Sequence, residues 1–538
     1  MTKHLKVFLF AIILLASTPN AMAQTVETEK TYEISGKAKR GYLAKVDYDP
    51  KTQECTLYFV TKANDRRIKF EVYRFDKEYN FIDKKDEEQE LEKVTYKWFR
   101  VKKENYEKEG VTVDNGGIFN AALTLKRKQT TYNWSWVWGS YSVRTKILEK
   151  VKPKTDDGKK YLYAGHIEDD ATGDIFVLAS IKDKGEQGKN FTLLRFNNQL
   201  DLVKTQEIKF DYAVTRAFTA NLYTEDEDDP EMKIVTGGIM IFAPAKGSKE
   251  FTNPDKNAYE VVKFDRDFNI TRSSFKSPAS YFRIDEMVST SDAYYFYGVA
   301  AEGKDRYYNQ LATLEKFKAV QLLKVKASDY KVEYITSANL DEMQAKLKTP
   351  PSQKRKPEYR GNKFETKGYF VTKNNEFVLY GQNFEMKTDR VPQGGKMVEI
   401  EFKSYRDVIG FYFDTKGVLK AQYGIDPVED SKAAKRMGAP QYIVENTKGN
   451  AMYWILTEID GFRVEDEQVR PLAYPRIAKI NTSDNSVKDF ITMGEVGKTK
   501  YYLDKKYPYL PIDDGNKIVF FGSNKTGKTL YFGRVRLD

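Results

Sequence analysis

Short apolar runs return along this chain at intervals of 57 to 83 residues. They are Thr56 to Val60, Gly117 to Ala121, Asp174 to Leu178, Lys233 to Gly237, Ala293 to Gly298, Glu376 to Gly381, Ala451 to Leu456 and Lys517 to Gly522. A second run with period-two alternation follows each, as in Phe70 to Phe81, Phe191 to Leu202 and Tyr259 to Ile270. Diverged copies begin at Val320, Val408, Pro475 and Leu530, with a weak one at Tyr141. Alternation of this kind marks a half-buried strand, and the Asp/Asn clusters inside these copies mark turns. Further alternation continues in Thr205 to Phe210 and Thr271 to Phe275, while Tyr42 to Asp47, Tyr281 to Glu286, Tyr369 to Thr372 and Gln441 to Glu445 precede the apolar runs.

Each repeat therefore carries four strands. Four-stranded sheets repeated radially make a β-propeller. The expected fold is all-β, an eight-bladed propeller, with seven blades as the alternative because the copy from Glu92 to Lys160 is irregular. The last copy ends after its third strand, Leu530 to Leu537. Thr31 to Ser35 has the alternation to supply the fourth, which would leave no open sheet edge there.

Residues 1–23 read as an export signal: Lys3 and Lys6, an apolar stretch from Val7 to Ala16, and a small-residue cleavage site at Ala21 to Ala23. The stretch is shorter than the roughly 20 residues of a membrane span. Residues 24–538 read as one propeller domain with insertions near 301–319 and 341–363. Removing Lys3 and Lys6 lowers the formal charge from +11 to +9. The basic residues are spread among 78 acidic ones rather than massed on one stripe, which argues against nucleic-acid binding. Cys55, the single cysteine, reads as a buried thiol and can make no internal disulfide.

The whole mature pattern resembles the divergent β-propellers of exported Bacteroidetes proteins, on its Ala-Met-Ala-Gln signal ending and its richness in Lys, Tyr, Phe and Asn. No Trp-Asp or kelch glycine set is present. The resemblance implies periplasmic residence, because the sequence ends inside its last repeat, where type 9 cargo would carry a sorting domain. It also implies, as one concrete form, a plug-like accessory of the type 9 translocon.

Catalytic chemistry finds little support. His166 is the one histidine of the mature chain, and there is no Gly-x-Ser-x-Gly elbow to build a triad with it. One histidine and one cysteine cannot assemble a zinc site, so no metal or cofactor is expected. Asp285, Glu286, Glu445, Asp513 and Asp514 fall in or after inner strands, where carboxylates from several blades would meet if they served glycoside chemistry. Asp226 to Asp229 lacks calcium-loop spacing and reads as a solvated, mobile hairpin loop.

Candidate partner-binding residues lie in two places. Trp134, Trp136 and Trp138 alternate, so in a strand they share one face fit for a partner or a sugar, with an inter-blade packing strip as the competing reading. Lys354, Arg355, Lys356 and Arg360 sit in a Pro- and charge-rich insertion, Lys346 to Lys363, expected as an extended surface loop without a core. Tyr307 to Phe317 is expected as a short helix. The leading expectation is a non-enzymatic periplasmic scaffold that binds a cell-envelope or outer-membrane protein. The competing one is a propeller that binds or acts on glycans.

Overall fold

The computed structural model describes residues 25–537 apart from 64–66, 91–105, 115–119, 136–139, 170, 182–187, 226–232, 246, 254–257, 279–280, 302–316, 362 and 466–467. Among the described residues the strands form eight sheets in chain order, antiparallel throughout except for one short parallel pair at the edge of the sixth. Blade 1 runs Tyr42–Tyr48, Cys55–Ala63, Arg67–Phe75 and Phe81–Glu90. Blades 3, 4 and 5 repeat that meander over 161–209, 214–276 and 281–339. Blade 6 comprises Phe364–Val371, Phe377–Gln393, Lys396–Phe413 and Leu419–Ile425. Blade 7 comprises Gln441–Glu445, Ala451–Glu465 and Gln468–Asn481, with the short pieces Ser486–Val487 and Ile491–Thr492 along its outer edge.

Blade 8 is stitched from both ends of the chain. Tyr509–Ile512, Lys517–Asn524 and Thr529–Arg536 are joined by Thr25–Glu33, which pairs antiparallel with Thr529–Arg536 in the register Thr31↔Tyr531, Tyr32↔Leu530. The closing strand expected from Thr31 to Ser35 is therefore present, and it begins six residues earlier at Thr25. Apolar clusters lie between neighbouring blades rather than inside any one sheet. Phe191 and Phe242 join blades 3 and 4, Tyr297 and Phe377 join 5 and 6, Tyr423 and Trp454 join 6 and 7, and Phe75 and Phe532 join 1 and 8. A lone blade has nothing to cover its apolar faces, so stacking against the neighbouring blades is what stabilises the repeat.

The Asp/Asn clusters make the expected turns. Asp76 Oδ1 accepts the N–H groups of Glu78 and Asn80, and Asp265 Oδ1 does the same for Asp267 and Asn269. Between them Tyr79 and Phe268 take left-handed φ values of 59° and 58°, a cost of about 1–2 kcal/mol for a side-chain-bearing residue. Both rings are buried, which offsets it.

Two features depart from the sequence pattern. The described end of the run Gly117 to Ala121, Asn120 and Ala121, lies outside the strands of blade 2. Residues 117–119 lie outside the described residues, and the N–H of Asn120 donates to the Tyr163 carbonyl, tying this stretch to blade 3. Blade 2 instead pairs Tyr106–Val113, Leu125–Ser135 and Ser140–Val151. The inner strands also carry a recurrent bulge, at Ala44, Ala164, Ala217, Asp285 and Lys367. The glycines that close two apolar runs fit beneath it: a Cβ on Gly298 would lie 1.8 Å from the Arg283 carbonyl, and on Gly381 2.2 Å from that of Glu365.

Candidate functional site

In a four-stranded meander, the turn between the second and third strands and the connection to the next blade emerge on the same side. On that side of blades 6 and 7 the structure builds a strap, a short helix and two projecting ribbons.

The strap is the insertion before blade 6, and it is ordered against the sheet, not the coreless loop its composition suggests. Asn339 caps the helix Leu340–Ala345 through its Oδ1, and Leu347–Lys348 then pairs parallel with Leu419–Ile425. Gln422 is fully buried beneath it, donating to the Met343 carbonyl at 2.8 Å and accepting the Tyr359 N–H at 2.5 Å. Tyr359 is 0 % exposed and stacks on Phe317 at 4.3 Å. Its hydroxyl accepts the Phe317 N–H and donates to the Phe317 carbonyl, each at 2.9 Å. One aromatic anchor with matched polar groups thus secures a charged segment that has Lys354, Arg355, Lys356 and Arg360 on its outside.

The ribbons extend the second and third strands beyond their blades. In blade 6 the inner strand pairs only as far as Asn383 and the outer strand only to Val408, while the central hairpin continues to Gln393↔Lys396. The excess is about 30 Å of two-stranded ribbon at 3.3 Å per residue. The blade 7 hairpin likewise runs on from Thr457 to Glu465. The helix Lys432–Met437 lies between the two. Its Ala433 packs on Ile459 and Ala473 of blade 7, and its Arg436 covers the Phe402 ring at 4.3 Å and pairs with Asp389. Alternation puts Phe462, Val464 and Val469 on the same ribbon side as Ala473, and Ile400 and Val398 on the same side as Phe402. Both apolar stripes thus continue past the helix into solvent, with Phe462 56 %, Val464 65 % and Val469 57 % exposed.

Where the blade 6 ribbon leaves the disc, it and the strap bound a cleft of about 770 Å³. Arg355, Lys356, Arg360, Lys363 and Arg406 line it, with Glu358, Glu385 and Asp407. Arg355 pairs with Asp407 and Asp426, Arg360 with Glu358 at 2.5 Å, and Arg406 with Glu385 at 2.6 Å. Burial pushes the Asp407 carboxyl up, against the pull of Arg355. Beside the cleft, burial would raise Glu365, yet hydrogen bonds from Lys367, Lys403 and Tyr405 outweigh it and hold the carboxyl down to about 2. Lys363 and Lys403 stand over the Phe384 ring at 5.8 and 4.6 Å.

Three of the residues singled out from sequence, Arg355, Lys356 and Arg360, line this cleft. Lys354 is exposed on the strap outside it. Trp134 lies in the strand Leu125–Ser135, opposite Tyr141, while Trp136 and Trp138 lie outside the described residues, as do Asp226 to Asp229 and all but Phe317 of the expected helix. Three of the inner-strand carboxylates are engaged locally, within a blade or across the seam to its neighbour. Asp285 pairs with Arg283 at 2.8 Å, Glu445 accepts the Lys373 N–H, and Asp513 pairs with Lys517 at 2.7 Å. Among the described residues no three His, Cys, Asp or Glu side chains form a metal-binding group. His166 bonds to Tyr163 at 2.9 Å, and Cys55 is buried, its thiol pushed up to about 12 by that burial. Sequence reasoning missed Lys363, Arg406, Phe384 and Met386, whose grouping exists only because ribbon and strap leave the disc together.

No protein-family profile matches the chain, and no curated protein matches it. Solved structures are similar to it only weakly. The WD40 domain of SCAP from fission yeast is 8 % identical with a TM-score of 0.25, over 95 % of this chain and 98 % of that one. The hemagglutinin-neuraminidase ectodomain of parainfluenza virus 5 is 9 % identical with a TM-score of 0.24, over 68 % and 80 %. The fold rests on the strand pairing described above: the chain is a β-propeller.

Proposed function

We propose that this chain is a non-enzymatic scaffold of the bacterial periplasm that binds another cell-envelope protein through the ribbon-bearing side of blades 6 and 7. The observation that carries the reading is the pair of projecting ribbons, whose apolar side chains Ile400, Phe462, Val464 and Val469 stand in solvent among charged neighbours. Apolar patches rimmed by polar residues mark protein interaction sites, and a rigid disc holds them at fixed separation. The export pattern of residues 1–23 supports a periplasmic address. An accessory of an outer-membrane export complex, in the manner of a type 9 translocon plug, or of an uptake complex is the form this scaffold takes in our reading.

The test is cross-linking and affinity recovery of the tagged protein from envelope extracts after osmotic release. A stoichiometric envelope partner is expected, lost when Phe462→Glu and Val464→Glu are combined. Recovery of the chain alone, together with binding on a glycan array, would replace the scaffold with the carbohydrate reading.

A further inference from the structure

We infer that the cleft beside the strap receives an extended, carboxylate-rich segment of a protein partner. The segment adds as a strand to the open edge of Phe377–Gln393 and sets its acidic side chains against Lys356 and Lys363. This rests on the scaffold reading and names the chemistry of what docks.

The edge comes from the strand registers. The last pair between the inner strand and the hairpin is Phe364↔Asn383, and the Phe384 N–H still donates to the Lys363 carbonyl. Among the described residues, the strand from Glu385 to Gln393 has a partner on the Lys396–Phe413 side only. Its other side therefore presents alternating N–H and C=O groups, a template for strand addition. A strand laid there would continue the line of Phe364–Val371 outward, starting at the cleft.

Charge selects the occupant. The cleft holds five cationic side chains and three carboxylates. Arg355, Arg360 and Arg406 are matched within the fold, whereas among the described residues no carboxylate lies within ion-pair reach of Lys356 or Lys363. Met386, exposed at the cleft wall, offers an apolar contact in the same cleft. A lone phosphate or a lipid headgroup would use the cations and leave the backbone edge unused. An acidic strand uses both. A free two-stranded ribbon is also marginal by itself, so a third strand stabilises it.

The probe is a labelled peptide of alternating glutamate and valine, with a lysine–valine peptide and phosphatidylglycerol vesicles as comparisons. Binding is measured by anisotropy against the full chain at low and high salt. The glutamate peptide is expected to bind more weakly as salt rises, since exposed charges are screened. Combining Lys356→Glu with Lys363→Glu is expected to weaken it at least ten-fold. The same charge change in the turns between first and second strands, Lys51→Glu with Lys448→Glu, is expected to leave it unaltered. Hydrogen exchange in the complex is expected to slow at amides within 385–393. Equal binding by Lys356→Glu/Lys363→Glu, equal binding of the lysine peptide, protection elsewhere, or binding of the vesicles in place of the peptide would each overturn the inference. An envelope partner recovered equally by wild type and the Lys356→Glu/Lys363→Glu variant would sink this site and leave the scaffold standing. Peptide binding with no partner recovered would do the reverse.

Discussion

Tyr359 shows how far one side chain can organise a polar segment. Its ring fills the space between Phe317, Phe364 and Phe411, and its hydroxyl meets both polar groups of Phe317. Tyr359→Phe leaves those buried groups unpaired and is expected to cost about 1–3 kcal/mol, whereas Tyr359→Ala adds a cavity and is expected to cost about 3–5 kcal/mol. Urea unfolding measures both. Limited trypsin digestion should cut after Lys354 and Arg355 faster in Tyr359→Ala than in wild type. Asp285 makes the opposite contribution. Burial raises its carboxyl to about 6, Arg283 opposes that only in part, and Oδ2 has no hydrogen-bond partner. Between its ordinary value of 3.8 and about 6 the unfolded chain gives up the proton while the folded one keeps it. Stability therefore falls as pH rises through that window and levels above it. Asp285→Asn is expected to flatten that slope and to gain about 2–3 kcal/mol over wild type at pH 7. Urea midpoints from pH 4 to 8 test the sign, and an unchanged slope would refute the assignment.

The blade 6 ribbon and the strap differ in how readable they were. Alternation through Glu399 to Phe402 continues the strand signal, but nothing in that pattern marks where Leu419–Ile425 stops pairing and the sheet becomes a ribbon. The strap misled because composition counts its lysines and prolines, while its order rests on Phe317 and Gln422, 42 and 63 positions from Tyr359. Local signals fared better. The apolar runs became second strands in seven of eight sheets, and the Asp/Asn clusters became turns. The site itself was half visible: Arg355, Lys356 and Arg360 were readable as a charged cluster, but their facing wall was not. At this scale the ribbon is separable from the disc. Replacing residues 387–401 with a tight Asn-Gly turn is expected to leave the thermal midpoint nearly unchanged and to abolish recovery of the envelope partner. A large drop in midpoint would instead make the ribbon part of the core.

The whole molecule depends on the strand Thr25–Glu33. It seals blade 8 and brings Tyr32 onto Phe81 of blade 1 at 4.6 Å, and its Glu29 accepts the Tyr531 hydroxyl at 2.6 Å. Removing 25–33 is expected to expose the edge of Thr529–Arg536, broaden the unfolding transition and promote association, as light scattering would report. Glu29 and Tyr531 lie 502 positions apart. A ribosome, or a translocation channel threading the chain in order, therefore releases one half of this clasp long before the other exists. Until the final residues emerge, the early strand waits unmatched, a vacancy that a holding chaperone is suited to shield.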